Sequence, residues 1–167
     1  HRGFETVTYL LAGKMRHKDN AGHAGVIEAG GVQWMSAGRG IIHSEMPEQE
    51  NGLLSGFQLW VNLPSSHKMM TPRYQEFGPA AIPVEQRDGA QVRVVAGTTS
   101  RGTHGPVREL VTDVVYLDIT LAADARFSEA LPVGHNAFLH VVEGHLVVSG
   151  GGGITSRINA GDLAILG

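Results

Sequence analysis

The sequence predicts an all-β protein with two tandem β-barrels, and three observations support this class. Glycine makes up 23 of the 167 residues and charged residues only 17%, which is typical of many short strands joined by tight turns. No long amphipathic helix is visible in the sequence. One block of strand-like sequence occurs twice, and closing such strands into barrels removes their exposed edges.

The repeat is defined by two segments in the same register. Residues 9–15 (YLLAGKM) resemble residues 140–146 (HVVEGHL), and residues 27–32 (IEAGGV) resemble residues 158–163 (INAGDL), so both pairs are separated by 131 positions. Each copy reads as strand, glycine turn, strand, polar loop, strand, Ala-Gly turn and strand. The loops are residues 18–23 in the first copy and 149–153 in the second. Such a duplication predicts two related barrels.

The boundary between the barrels is predicted from composition. Residues 56–63 form the closing strand of the first barrel, and a proline-rich stretch follows them. Strand-like runs at residues 91–96 and 114–121 then begin the second barrel. The expected divisions are an N-terminal domain over residues 1–78, a connector over 79–90 and a C-terminal domain over 91–167. Because the chain begins and stops at strand-like segments, we expect it to be cut at both ends, without the first strands of one domain and the last of the other.

Composition excludes several classes of site and function. There is no cysteine, which excludes disulfides and thiolate metal ligands. The net charge is −3 and the basic residues are scattered, so a nucleic-acid-binding surface is not expected. No apolar run approaches the roughly 20 residues of a membrane-spanning helix, and no signal peptide is visible. We expect a cytoplasmic protein that makes no membrane contact, with a nuclear pool as well if the organism is eukaryotic.

One short segment contains candidate metal ligands. His43 and Glu45 are two residues apart, so they share a face of a strand, and His1 heads another strand-like run. An imidazole and a carboxylate on one face form half of a metal site, and a barrel can bring His1 to them. Without thiolates, such a site suits a first-row divalent ion such as iron, manganese, nickel or copper. Taken alone, His43 and Glu45 are almost as well explained by a surface ion pair.

Longer motifs around these residues identify a family. Residues 1–13 (HRGFETVTYLLAG) and 32–47 (VQWMSAGRGIIHSEMP) closely resemble the first and second motifs of the pirins, and residues 58–64 and 72–75 match further signatures. The resemblance is dense through residue 76 and looser afterwards. Pirins are two-domain proteins of the cupin superfamily, so it implies two jelly-roll barrels.

The resemblance also implies a metal site. Pirins bind one metal ion, most often iron, through three histidines and one glutamate in the N-terminal barrel, and His1, His43 and Glu45 match three of these ligands. The fourth, a histidine two residues before His1, is absent from this chain. Fe(II) is the expected ion, although manganese, nickel, copper and zinc suit such ligands. The repeat places Pro132 at the position of His1, so we expect no metal in the second barrel.

Two functions follow from the resemblance. Some pirins are quercetin 2,3-dioxygenases, which would take a small aromatic substrate and O2, with Glu45 as the base that removes a hydroxyl proton. Others are described as metal-dependent regulators that bind transcription factors or metabolic enzymes. The dioxygenase is the favoured interpretation, and the substrate-binding residues are not identified by the sequence.

The remaining candidates receive structural interpretations. Glu5 is expected to point away from Thr6 and to be a supporting residue rather than a ligand. Trp34, Phe57 and Trp60 are expected in the core because of their period-2 setting among apolar residues, although they could line a pocket for an aromatic ligand. Arg39 is expected in a turn formed by its two flanking glycines, although it could anchor an anion or substrate at the barrel mouth. Five histidines are assigned to turns or loops without a role: His17, His23, His67, His104 and His145.

Overall fold

A computed structural model describes residues 1–48, 52–150 and 153–166 of the chain. It is nearly all-β, which confirms the predicted class, and its 3-10 helices are Ser65–His67 and Pro79–Ala81. Among the described residues, no helix has the length and apolar character needed to cross a membrane. The strands are β1 Phe4–Ala12, β2 Lys14–Asp19, β3 Ala24–Glu28, β4 Val32–Ser36, β5 His43–Pro47, β6 Ser55–Asn62, β7 Arg73–Phe77, β8 Val84–Arg87, β9 Ala90–Ala96, β10 Tyr116–Leu121, β11 Ala137–His140, β12 His145–Ser149, β13 Thr155–Asn159 and β14 Leu163–Leu166.

The chain divides into two compact units, residues 1–129 and 130–167. The first unit contains three antiparallel sheets with strand orders β6-β1-β4-β7, β3-β2-β5 and β10-β9-β8. Strand β1 is central to the four-stranded sheet and pairs with β4 on one side and β6 on the other. The candidate site lies between this sheet and the β3-β2-β5 sheet.

The two faces of the four-stranded sheet differ in chemistry. On one face, Val7 and Tyr9 pack with Trp34 in a core that also contains Val95 of β9. On the other face, Thr6 and Thr8 are buried as well. Because strand neighbours alternate between faces, a strand buried on both sides shows no simple apolar alternation. The polar face, which carries Thr6 and Thr8, lines the interior of the first barrel.

Strands β8, β9 and β10 belong to the first compact unit. The sequence assigns residues 79–90 to a connector and residues 91–121 to the second domain, whereas in the structure Val95 and Ala96 share the core of the first unit. Burial of these apolar side chains against β1 and β4 explains why the contacts group them there. The division into domains at residues 79–90 stays a prediction.

A buried ion-pair cluster ties the end of the first unit to β8. Arg87 donates to Glu85 at 2.5 Å and to Glu129 at 2.6 Å, and all three side chains are less than a tenth exposed. Thr99 donates to the second oxygen of Glu85 at 2.6 Å. The Thr99 hydrogen bond and the Arg87 charge outweigh burial and lower the pKa of Glu85 to about 2. Such a cluster is costly to break at one partner.

A side chain of β7 pairs with the backbone of a later segment of the chain. The amide nitrogen of Gln75 donates to the carbonyl oxygen of Arg108 at 2.8 Å, and its amide oxygen accepts from the Arg108 N–H at 2.9 Å. Arg73 adds a hydrogen bond to Glu109 at 2.9 Å. The segment around residue 108 is therefore held against β7 on the face of the sheet that carries Trp34.

The second unit repeats the first in its pairing register. Strands β2 and β3 pair with Lys14 opposite Glu28, and β12 and β13 pair with His145 opposite Asn159, which are the same positions shifted by 131. Pairing between β11 and β14 places His140 opposite Leu163, as Tyr9 lies opposite Val32. Of the predicted loop at residues 149–153, residues 151 and 152 lie outside the described residues. The repeat is confirmed at the level of register.

Candidate metal centre

Strand β5 holds His43 and Glu45 on one face, as the sequence predicts. The turn before it requires glycine, because Gly38 has a φ of +48° and a Cβ there would lie 2.1 Å from the carbonyl oxygen of Met70. The Arg39 N–H donates to that same oxygen at 2.9 Å, and the Arg39 side chain is exposed. The tight turn fixes the point at which β5 begins and hence which residues face the barrel.

His1 lies beside His43. Its amino group donates to the carbonyl oxygen of Ile41 at 2.9 Å, and the Ile41 N–H donates to the carbonyl oxygen of His1 at 3.0 Å. The two imidazole centroids are 4.8 Å apart. His43 Nδ1 is buried and has no hydrogen-bond partner among the described residues. A buried, unpaired ring nitrogen is free to act as a ligand, since leaving it unpaired is unfavourable.

Glu45 is held by two donors on the facing sheet. Thr8 Oγ1 donates to Glu45 Oε1 at 3.2 Å, and Gln58 Nε2 donates to Glu45 Oε2 at 2.7 Å. Gln58 also donates to Thr8 at 3.3 Å. These contacts orient the carboxylate inside the barrel.

A second polar pair lies next to Glu45. His17 is directly opposite Glu45 in the β2–β5 pairing, and its Nε2 lies 2.6 Å from Glu76 Oε2. Gln33 donates to the same Glu76 oxygen at 3.2 Å. A Cβ on Gly25 would lie 2.6 Å from His17 Nε2, so this position of β3 accommodates the pair only as glycine. The assignment of His17 to a turn is wrong, because it lies buried on β2.

Asp19 and His23 organise the loop that follows β2. Asp19 Oδ1 accepts from the N–H groups of Ala21 and His23, each at 2.8 Å, and its Oδ2 lies 2.7 Å from His23 Nδ1. Burial alone would raise the pKa of Asp19, but these hydrogen bonds outweigh it and lower the pKa below its usual range. His23 also packs on Tyr74, with ring centroids 5.2 Å apart.

The sequence did not lead us to predict that His17 and Asp19 lie beside the candidate site, although their spacing was a signal. His17 and Asp19 are two residues apart within a strand-like run, as His43 and Glu45 are. Opposed residues of an antiparallel pair point to the same side, and Asp19 lies opposite His43 while His17 lies opposite Glu45. The four side chains therefore occupy one face of the β2–β5 ladder.

Glu5 lies on the opposite face of β1 from Thr6 and Thr8. It is fully buried, and one carboxylate oxygen accepts a hydrogen bond from Ser36 Oγ. Its other oxygen has no partner among the described residues. The prediction that Glu5 points away from Thr6 agrees with these contacts, because Thr6 and Thr8 face the barrel interior.

The predicted ligands, two imidazoles and one carboxylate, are groups that bind first-row divalent ions. The rings of His1 and His43 are adjacent, and the His43 nitrogen without a hydrogen-bond partner among the described residues is available as a metal ligand. Glu45 is turned towards Thr8 and Gln58. Within residues 1–48, 52–150 and 153–166, no three histidine or acidic side chains come close enough together to hold a metal ion. An open groove of about 490 Å³ lies beside His1 and is also lined by Arg2, Asn20 and Ile41.

Comparison with known proteins supports the resemblance. The Pirin family model matches residues 1–61. A pirin-like protein of Caulobacter vibrioides is 55% identical over 150 residues, covering 89% of this chain and 54% of that protein. A Pseudomonas aeruginosa protein whose name proposes quercetin 2,3-dioxygenase activity is 48% identical over 154 residues, covering 90% of this chain and 54% of that protein.

Solved structures agree in fold. The crystal structure of a quercetin 2,3-dioxygenase from Acinetobacter baumannii superimposes with a TM-score of 0.89 and 36% identity, over all of this chain and 58% of that one. The chain spans about half the length of the curated relatives it matches. Its motifs, its repeated barrel strands and these similarities together show that the chain belongs to the pirin family.

Proposed function

We propose that the first barrel is the site of a dioxygenase that opens a flavonol or related aromatic ring with O2. The observation that carries this proposal is the meeting of His1 and His43, on a face of β5 that His43 shares with Glu45 and beside an open groove at His1. The Pseudomonas and Acinetobacter relatives support the choice of substrate and of O2.

His1, His43 and Glu45 are the residues that would hold one divalent metal ion, and Fe(II) is the ion we propose. Manganese, nickel, copper and zinc also accept nitrogen and oxygen ligands of this kind. When bound, such an ion lowers the pKa of a coordinated hydroxyl and supplies the chemistry that activates O2.

Glu45 has a second proposed role as the base for the substrate hydroxyl. Its two oxygens are positioned by Thr8 and Gln58, so the proton would be taken at an oxygen whose orientation is already fixed. Fixed orientation matters because a general base must lie within hydrogen-bond reach of the proton it removes. The apolar walls of the barrel, such as Met35, would limit access of water to this proton transfer.

The test is quercetin consumption followed by absorbance in air, with protein loaded anaerobically with Fe(II). We expect turnover in the wild type and in Glu28→Gln, whose exposed carboxylate pairs with the surface Lys14. We expect turnover to be lost in Glu45→Ala. Parallel samples loaded with manganese, nickel, copper or zinc identify the ion that supports the reaction.

Two outcomes would contradict parts of the proposal. Bound metal without quercetin turnover in the wild type argues against the dioxygenase and favours a metal-dependent regulator. Full turnover by Glu45→Gln with metal retained removes the role of Glu45 as the base, because an amide does not accept the hydroxyl proton.

A further inference from the structure

Trp60 departs from the expected core position. Trp34 is 1% exposed in the core, whereas Trp60 is 66% exposed. An exposed indole beside a candidate site offers a large apolar surface to a ligand, because burying an aromatic ring is strongly favourable. The interpretation of Trp60 as a core residue is therefore wrong.

Trp60 lies at the candidate metal centre and not on an unrelated surface. In the β1–β6 pairing it is opposite Thr6, and it shares a face with Gln58, which binds Glu45. Both neighbours face the barrel interior. Trp60 is one step further along that face, towards the end where β5 begins with His43.

The indole belongs to a cluster of four rings. Its centroid is 4.8 Å from that of Phe4 and 5.7 Å from that of His1, and His1 is 4.8 Å from His43. Phe4 and Trp60 are tilted by 34°, and His1 meets Trp60 edge-on at 75°. These contacts hold the indole in place, so it presents a fixed aromatic surface beside the two histidines.

The ring cluster adjoins an open groove through His1. The groove has a volume of about 490 Å³, and His1 belongs both to its lining and to the contact with Trp60. Arg2 lines that groove, and its positive charge would favour a ligand with anionic oxygens. Aromatic faces prefer planar rings in stacked or edge-on arrangements.

We propose that Trp60, supported by Phe4, is the stacking surface that binds a planar polyhydroxylated aromatic ligand at the mouth of the first barrel. The inference deepens the proposed function and rests on it for the class of ligand. It selects Trp60 as a specificity-determining side chain from the three aromatic residues that the sequence offers as a possible pocket lining.

Equilibrium binding of quercetin, measured without O2 and without metal, tests the inference independently of turnover. We expect Trp60→Leu to weaken binding about tenfold, because it removes the ring but keeps an apolar side chain. Trp60→Phe keeps a ring, and we expect its dissociation constant to stay within about threefold of wild type. Phe138→Leu, which changes an aromatic residue 54% exposed in the second unit, is the matched control and should bind as wild type.

Fluorescence locates the ligand in the same titration. The chain has two tryptophans, and exposed Trp60 should emit at longer wavelength than buried Trp34. We expect quercetin to quench the long-wavelength emission, and we expect that quenching to be absent in Trp60→Phe. Unchanged affinity in Trp60→Leu, or quenching that is the same in Trp60→Phe, would overturn the inference.

The two proposals fail in distinguishable ways. Turnover of quercetin with an unchanged KM in Trp60→Leu supports the dioxygenase and overturns the stacking role. Binding that is lost in Trp60→Leu, without turnover by the metal-loaded wild type, supports the stacking role and argues against the dioxygenase.

Discussion

The two copies of the repeat share a backbone register but differ in what lines them. In the first copy, Thr8, His17 and Gln33 point inwards and take part in polar contacts. Shifted by 131 positions, the same places are Leu139, Val148 and Ala164, all half-buried. The hairpin register and the glycine turns are nevertheless equivalent.

This difference separates the determinants of fold from those of chemistry. Gly30 and Gly161 both have positive φ, and their N–H groups donate to the carbonyl oxygens of Leu10 and Val141, at 2.7 and 2.8 Å. Glycines and apolar positions thus preserve the strand pairing, while the inward-facing side chains change from polar to apolar. The second copy shows that the polar lining is not needed to form these hairpins.

The largest expected effect is the loss of metal affinity when a candidate ligand of the first copy is removed. His43→Ala removes the ring nitrogen that lacks a hydrogen-bond partner, and we expect metal affinity to fall by at least about 100-fold. Metal content after anaerobic equilibrium dialysis measures this loss. His67→Ala changes an exposed histidine of a 3-10 helix and should retain the ion, so equal retention by both variants would contradict the ligand assignment.

A substitution borrowed from the second copy tests the space around His17. Gly25 corresponds to Ser156, and we expect Gly25→Ser to destabilise the protein by about 2–3 kcal/mol, because its Cβ would collide with His17 and disturb the pair with Glu76. Urea unfolding measures the change. The reciprocal Ser156→Gly alters an exposed residue and should cost less than about 1 kcal/mol. Similar costs at both positions would show that the crowding at Gly25 is unimportant.

Acid sensitivity should distinguish the loops of the two copies. Asp19 has no counterpart that titrates, since Gly150 occupies its place. Because folding lowers the pKa of Asp19 from 3.8, its charge stabilises the fold above that pH, and this stabilisation is lost as the pH falls through the lower folded value. We expect Asp19→Asn to cost about 2 kcal/mol near pH 7 and progressively less below pH 3.8. A cost independent of pH in denaturant unfolding would contradict the role of the charge.

The smallest effect concerns the pair between His17 and Glu76. His17→Val installs the residue of the second copy, and Glu76 then keeps Gln33 as its partner. Since Glu76 is about a third exposed, water can replace part of the lost contact. We expect a cost of about 1 kcal/mol in urea unfolding, with Val148→His in the second copy as the comparison. A cost above about 3 kcal/mol would mean that the pair is fully desolvated in the native state.

Local rules explain what could be predicted from the sequence. Strand alternation placed His43 and Glu45 on one face, and the repeated glycines located the turns, because both features depend on near neighbours. The contact between His17 and Glu76 joins residues 59 positions apart, and the exposure of Trp60 depends on how sheets close around it. Such features are decided by tertiary packing, which a single sequence does not display.

The pairing of Gln75 with the backbone of Arg108 has a consequence for the behaviour of the protein at high concentration. A free sheet edge offers N–H and C=O groups on which a strand of another molecule can add, which is a common start of aggregation. The Gln75 amide pairs with both backbone groups of Arg108, one as acceptor and one as donor, as a neighbouring strand would. A single side chain thus removes one exposed backbone donor and one acceptor from those on which a strand of another molecule could add.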